Sequence, residues 1–246
     1  LGWGWSAAAV CERSGDADGL ARKSAPKQEV ELVGVFMKRS DAKTPFGGER
    51  MEVELAGQTA RIAGTPSSIL EAVVAALSAN GVTVLGEASP GEAPDILILA
   101  HPLAPDATYR PEALAAEAET VAGAMASRGK GRIVHLVSAA GLVPMRRHPA
   151  WSAAHAGAIA AMRALAMVSG PAVQVNAVAV GRVEPYDDSE ATGDAAMLSH
   201  VPLGRAGTAD DVANAVLFLV DPLNSYTTGQ SLAVDGGWTT GYGRNF

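Results

Sequence analysis

The chain has 246 residues, 48% of them hydrophobic and 18% charged, a balance that suits a folded domain with a full core and excludes a largely disordered chain. Nineteen Lys and Arg against 26 Asp and Glu leave a net charge of −7, which argues against a nucleic-acid or anionic-membrane surface. One cysteine, Cys11, and five scattered histidines provide neither an internal disulfide nor a spaced metal-ligand set, and a cytoplasmic location is expected.

Residues 1–10 are apolar but lack a basic lead-in and meet Glu12 and Arg13 too early for a spanning helix, so they read as neither a secretion signal nor a membrane anchor. Residues 11–28 are small and charged, without apolar periodicity, and read as a loop or linker. Residues 30–37 and 51–55 alternate apolar and polar, which predicts two strands of a hairpin or sheet edge. Together residues 1–57 form an N-terminal extension to a domain over 58–246.

Within that domain the pattern turns to alternating strand and helix. Strands are predicted at 60–63, 82–85, 95–100, 132–137, 173–178 and 231–234, and helices at 67–80, 111–127, 152–168 and 208–219. Ile69, Val73, Val74 and Leu77 share one helical face. Asp95-Ile-Leu-Ile-Leu-Ala100 is the continuous apolar run that a strand covered on both faces needs. Thr208 is placed to cap the last helix, with Asp210 and Asp211 in its first turn. The alternation predicts an α/β fold, a Rossmann-like doubly wound parallel sheet with helices on both faces.

Four segments carry a resemblance to the classical short-chain dehydrogenase/reductase family: Gly131-Arg-Ile-Val-His-Leu-Val-Ser-Ala-Ala-Gly141, Val175-Asn-Ala-Val-Ala-Val-Gly181, Pro202-Leu-Gly-Arg-Ala-Gly207 with Asp211-Val-Ala-Asn-Ala-Val-Leu-Phe-Leu219, and Gly229-Gln-Ser-Leu-Ala-Val-Asp-Gly-Gly-Trp238. The resemblance implies that Ser138 stands at the family's catalytic serine. It places the cofactor-binding positions on Gly64, Ser68, Asn176 and Gly181. Only ten positions separate Leu85 from Asp95, too few for the helix and strand that the family carries there, so the sheet is expected to lack one helix–strand unit.

At the reactive positions the sequence departs from the family. The family's tyrosine falls thirteen positions after Ser138, on Trp151, and its lysine four further on, on His155. An indole N–H donates but does not ionise usefully in water, so Trp151 cannot shuttle the proton that the phenol would. The glycine-rich dinucleotide loop becomes Ala63-Gly64-Thr65-Pro66-Ser67-Ser68-Ile69-Leu70, in which Pro66 removes an amide donor and Leu70 puts a branched side chain where close approach is needed. Leu99-Ala100-His101-Pro102 replaces the family's Asn-Asn-Ala-Gly.

These losses predict a vestigial site, with Ser138 and His155 as catalytic remnants and no cofactor bound by this chain. The expected role is a non-catalytic subunit of a hetero-oligomer, dimer or tetramer, whose active paralogous partner carries NAD or NADP. Small residues at Ala153, Ala154, Ala156, Gly157, Ala160 and Ala161 suit a close helix contact with that partner. Two other readings stay open: an active NAD(P)(H)-dependent ketoreductase or alcohol dehydrogenase with an altered site, and a cofactor-free lyase or isomerase using Ser138 and His155. No nucleic acid, membrane or metal is expected.

Overall fold

The computed structural model describes residues 50–85, 93–184 and 198–241, all within one compact unit, Met37–Phe246. Six strands form a parallel sheet: β1 (Thr59–Gly64), β2 (Thr83–Leu85), β3 (Ile96–Ala100), β4 (Gly131–Ser138), β5 (Val173–Val180) and β8 (Ser231–Val234). Their spatial order is β2-β1-β3-β4-β5-β8. Two short strands, β6 (Val183–Glu184) and β7 (Gly207–Thr208), pair separately. Among the described residues β2 is the outermost strand on its side, as expected of a sheet shortened by one unit.

Every residue of β3 is buried, because the pleat sends successive side chains into two different cores. Ile96, Ile98 and Ala100 join the layer of α1 (Ser68–Ala79) and α4 (Ala209–Val220). Leu97 and Leu99 join the layer of α2 (Glu112–Arg128) and α3 (Pro149–Ser169). Helix ends follow ordinary capping chemistry: Ser67 caps α1, and Thr208 and Asp211 form a reciprocal capping box on α4.

Residues 51–55, predicted as a strand, pair with no strand among the described residues. They run as an extended strap across α1 and α4. The Arg50 guanidinium meets Asp210 at 2.8 Å, the Met51 amide donates to Asn214 Oδ1 at 2.7 Å, and the Val53 amide donates to Asn80 Oδ1 at 2.6 Å. Alternation fits a strap as well as a strand, since both are extended; side-chain acceptors here take the place of a sheet neighbour. The predicted features at 11–28 and 30–37 lie outside the described residues.

Leu55 is fully buried in the α1/α4 core, so Leu55→Ala should lower the free energy of urea unfolding by about 2–5 kcal/mol. An unchanged denaturation midpoint would show that the strap is not part of that core.

Candidate functional site

The carboxyl ends of the parallel strands form the side of the sheet where such folds bind ligands. Ser138 ends β4 and turns the chain into the short 3-10 turn Ala139–Gly141, its Oγ accepting the Ala140 amide at 3.2 Å. The turn lies directly on α3: a Cβ on Gly141 would come within 2.8 Å of the His155 carbonyl carbon. Pro149 starts α3 at a first-turn position where no amide is missed. This sets Trp151 and His155, one turn apart, facing inward.

His155 is fully buried, and both ring nitrogens are engaged by backbone. Nδ1 accepts the Ser138 amide at 3.1 Å, and Nε2 lies 3.0 Å from the Pro102 carbonyl. A carbonyl only accepts, so the proton sits on Nε2 and the ring is neutral. Trp151, 3% exposed, packs edge-on against His155 with ring centres 4.9 Å apart, beside Tyr109 and Ala140. Its Nε1 has no hydrogen-bond partner.

Three neighbours of this pair have no role in the sequence expectations. His101, just past β3, contacts the Tyr109 hydroxyl through Nδ1 and reaches His135 Nδ1 through Nε2 at 3.0 Å. The signal for the two histidines lies in the strand alternation. Leu97, Leu99 and His101 share a face, as do Ile133, His135 and Val137, and Leu99 is in register with His135. Tyr109 comes from the connection to α2, which no periodicity describes. Although three imidazoles gather here, no group of three or more His, Cys, Asp or Glu has metal-binding geometry among the described residues.

Burial keeps the imidazoles of His135 and His155 neutral, lowering each pKa to about 4; for His155 the bond to the Pro102 carbonyl opposes the fall. His101, buried and further hemmed by His135 and His155, is lowered to about 2. Burial, with the charge of Glu112 adding, pushes the Tyr109 phenol well above its ordinary range, so it stays protonated.

At the other end of the site, between β1 and β3, the chain crosses the sheet directly. Gly64 is in register with Ala100, the Thr65 amide donates to the Ala100 carbonyl at 2.8 Å, and a Cβ on Gly64 would fall 2.0 Å from that oxygen. Position 66 is proline. The Leu70 amide is taken by Ser67 Oγ at 3.1 Å and the Glu71 amide by the Ser67 carbonyl. Ser68 opens α1, and Leu70 turns into the core. Gly181 sits at the end of β5 because a Cβ there would meet Asp235 Cα at 2.6 Å. Asn176 lies inside β5, donating to the Thr227 carbonyl and accepting the Gln230 amide. The structure therefore brings Ser138, Trp151 and His155 together, holds Gly64 and Ser68 at a separate loop, and places Asn176 in the support of β8.

A family model described as enoyl-(acyl carrier protein) reductase matches residues 112–239, just over half of the chain. The 3-oxoacyl-(acyl-carrier-protein) reductase of Chlamydia pneumoniae is 40% identical over 113 residues, 44% of this chain and 45% of that one. The inactive 2-(S)-hydroxypropyl-CoM dehydrogenase 2 of Xanthobacter autotrophicus is 36% identical over 124 residues, 47% of this chain and 54% of that one. The chain thus spans about half the length of the curated relatives it matches. A crystal structure described as ribose-5-phosphate isomerase from Brucella melitensis 16M superposes with a TM-score of 0.59 at 26% identity, covering 76% of this chain and 94% of that one. No helix among the described residues is long and apolar enough to cross a membrane.

The three neutral histidines predict an acid sensitivity of definite sign. The groups facing them are the Tyr109 hydroxyl, the Trp151 indole and, on the α2 side, Glu119. An unfolded histidine titrates near 6.5, whereas these stay unprotonated in the folded chain to about pH 4 or below. Unfolding therefore takes up protons between those limits. Stability is whole above about pH 6.5 and declines toward pH 4, on the order of 1.4 kcal/mol per pH unit for each histidine. Urea unfolding at pH 7 and pH 5 should show a clear drop, and equal stabilities would contradict the neutral assignment.

Proposed function

We propose that this chain, which belongs to the short-chain dehydrogenase/reductase family, is a non-catalytic subunit that assembles with an active chain of the same fold carrying the nicotinamide cofactor. The observation that carries the proposal is the filling of the site from within. Trp151 occupies the position of the family's tyrosine and is buried, and His155, in the place of the lysine, has both nitrogens committed to backbone. Proton transfer needs a group within hydrogen-bond reach of substrate that can give up and regain a proton near neutral pH; neither residue supplies one.

The dinucleotide's pyrophosphate would need amide donors at the start of α1. Thr65 has given its amide to the Ala100 carbonyl and Leu70 its amide to Ser67 Oγ, and Pro66 has none. The loop thus offers a pyrophosphate fewer donors than a glycine-rich one. The same geometry counts against the lyase or isomerase reading, since His155 has no lone pair left to act as a base for Ser138.

Assembly is supported by the outer surface. On α3, Ala153, Ala156, Gly157, Ala160 and Ala161 face outward, while Ala154 is half-buried; on α2, Ala116, Gly123 and Ala124 are exposed. Small outward residues on two adjacent helices let another pair of helices approach closely. The relative named as inactive is a precedent within the family for a member without turnover.

Three measurements test the reading. Co-expression with neighbouring paralogues, followed by mass measurement of the intact complex, should give a hetero-oligomer; a homomeric complex with full reductase activity would overturn it. Ala160→Glu, on an exposed position, should leave the folded chain intact and abolish the complex. The double variant Trp151→Tyr, His155→Lys should remain unable to oxidise or bind NAD(P)H, because the donor-poor loop at Gly64 is unchanged; turnover would locate the defect in those two residues alone.

A further inference from the structure

The Tyr109, His101 and His135 cluster leaves one hydrogen-bonding group unspent. Neutral imidazole has one donor and one acceptor nitrogen, and the Tyr109 hydroxyl has one hydrogen. If Tyr109 donates to His101 Nδ1, then His101 Nε2 carries a proton and donates to His135 Nδ1, and the His135 proton lies on Nε2. The opposite polarity would leave both the Tyr109 hydrogen and a His135 lone pair unused in a buried site. The first arrangement strands a single group, which is the lower-cost choice. That group is His135 Nε2, which has no partner, on a residue only 2% exposed.

The residue that carries the stranded N–H lines a small cavity between α2 and α3, of about 10 Å³, together with His101, Ala118, Ala158, Met162 and Glu119 among others. That space is the size of one water molecule. Its walls are apolar apart from the histidines and the Glu119 side chain. A water needs at least two polar partners to stay in such a place, and the residues lining this one include His135 and the carboxylate-bearing Glu119. An anion would face Glu119.

We propose that this cavity is a binding site for a single water molecule, which accepts the His135 Nε2 hydrogen and donates to the Glu119 carboxylate. The result is one unbroken hydrogen-bonded chain, Tyr109 to His101 to His135 to water to Glu119, linking the helix surface to the ring that packs beside Trp151. Each member donates in the same direction, so the chain also fixes which nitrogen of His101 and His135 holds the proton. The water site is independent of whether the protein turns over a substrate.

Long-range nitrogen–proton correlation spectra of the full-length nitrogen-15-labelled protein at pH 7 test it. The expected result is His101, His135 and His155 all protonated on Nε2, with a slowly exchanging His135 Nε2 proton that cross-relaxes with a long-lived water. Glu119→Ala, at an exposed position, should abolish that water peak while leaving the His155 Nε2 proton as it was. A His135 proton on Nδ1 would overturn the assignment. So would an Nε2 proton without a water contact, or xenon entering the cavity and shifting the Met162 methyl, which would mark it as dry. Persistence of the water peak in Glu119→Ala would overturn the bridge to the carboxylate.

Discussion

A single imidazole joins three elements. His155, on α3, takes the amide at the end of β4 and gives its own N–H to the carbonyl after β3. The bond to the Ser138 amide is buried and the one to the Pro102 carbonyl partly so, and losing the first leaves a buried backbone amide unsatisfied at the cost of its desolvation. The arrangement requires a side chain that accepts on one side and donates on the other. Lysine, with three donors and no acceptor, cannot receive the Ser138 amide. The residue at this position therefore determines how the surrounding backbone is held: Trp151 packs edge-on against the ring, Tyr109 lies tilted against it at 5.2 Å between centres, and Ser138 is kept at 6% exposure.

The second constraint is at the switch point of the sheet, where β2 and β3 lie on opposite sides of β1. A doubly wound sheet opens a crevice there. In this chain the ladder between β1 and β3 runs on to Gly64 and Ala100 and is extended by the Thr65 amide, so the loop lies across the end of β3. Gly64 has a positive φ and no room for a Cβ, and both follow from that crossing. A glycine inherited from a phosphate loop can thus be required for a purely structural contact, and its presence alone is no sign of a nucleotide.

The sheet and its four long helices are legible in the sequence because each strand is either continuously apolar or alternates against two cores, and each helix has a stop signal or cap. The departures at Trp151, His155 and the glycine loop are legible too, since residue chemistry alone shows what they cannot do. What those residues do instead is not. The bonds of His155 run to backbone 17 and 53 positions away, and side-chain type says nothing about that. The strap at 51–55 escapes the sequence for the same reason: its alternation is real, but Asn80 and Asn214, 27 and 163 positions along the chain from their partners, decide what it pairs with. Of the histidine cluster, alternation places His101 and His135 on one face, whereas Tyr109 arrives from an irregular connection.

The two faces of α3 also differ in how far packing within this fold explains their residues. The side chains of its inward face, from Trp151 through Ile159 to Met162, are buried within this fold. Its outward alanines have an explanation that requires no partner, because alanine is the best helix former. Glycine does not share that explanation. Gly157 on α3 and Gly123 on α2 are exposed in helix interiors, with nothing within 4 Å of where a Cβ would stand, and each costs about 1 kcal/mol relative to alanine. No turn, positive φ or internal close approach requires either one. A helix laid closely over that face gives both glycines a use, and nothing within the described fold does.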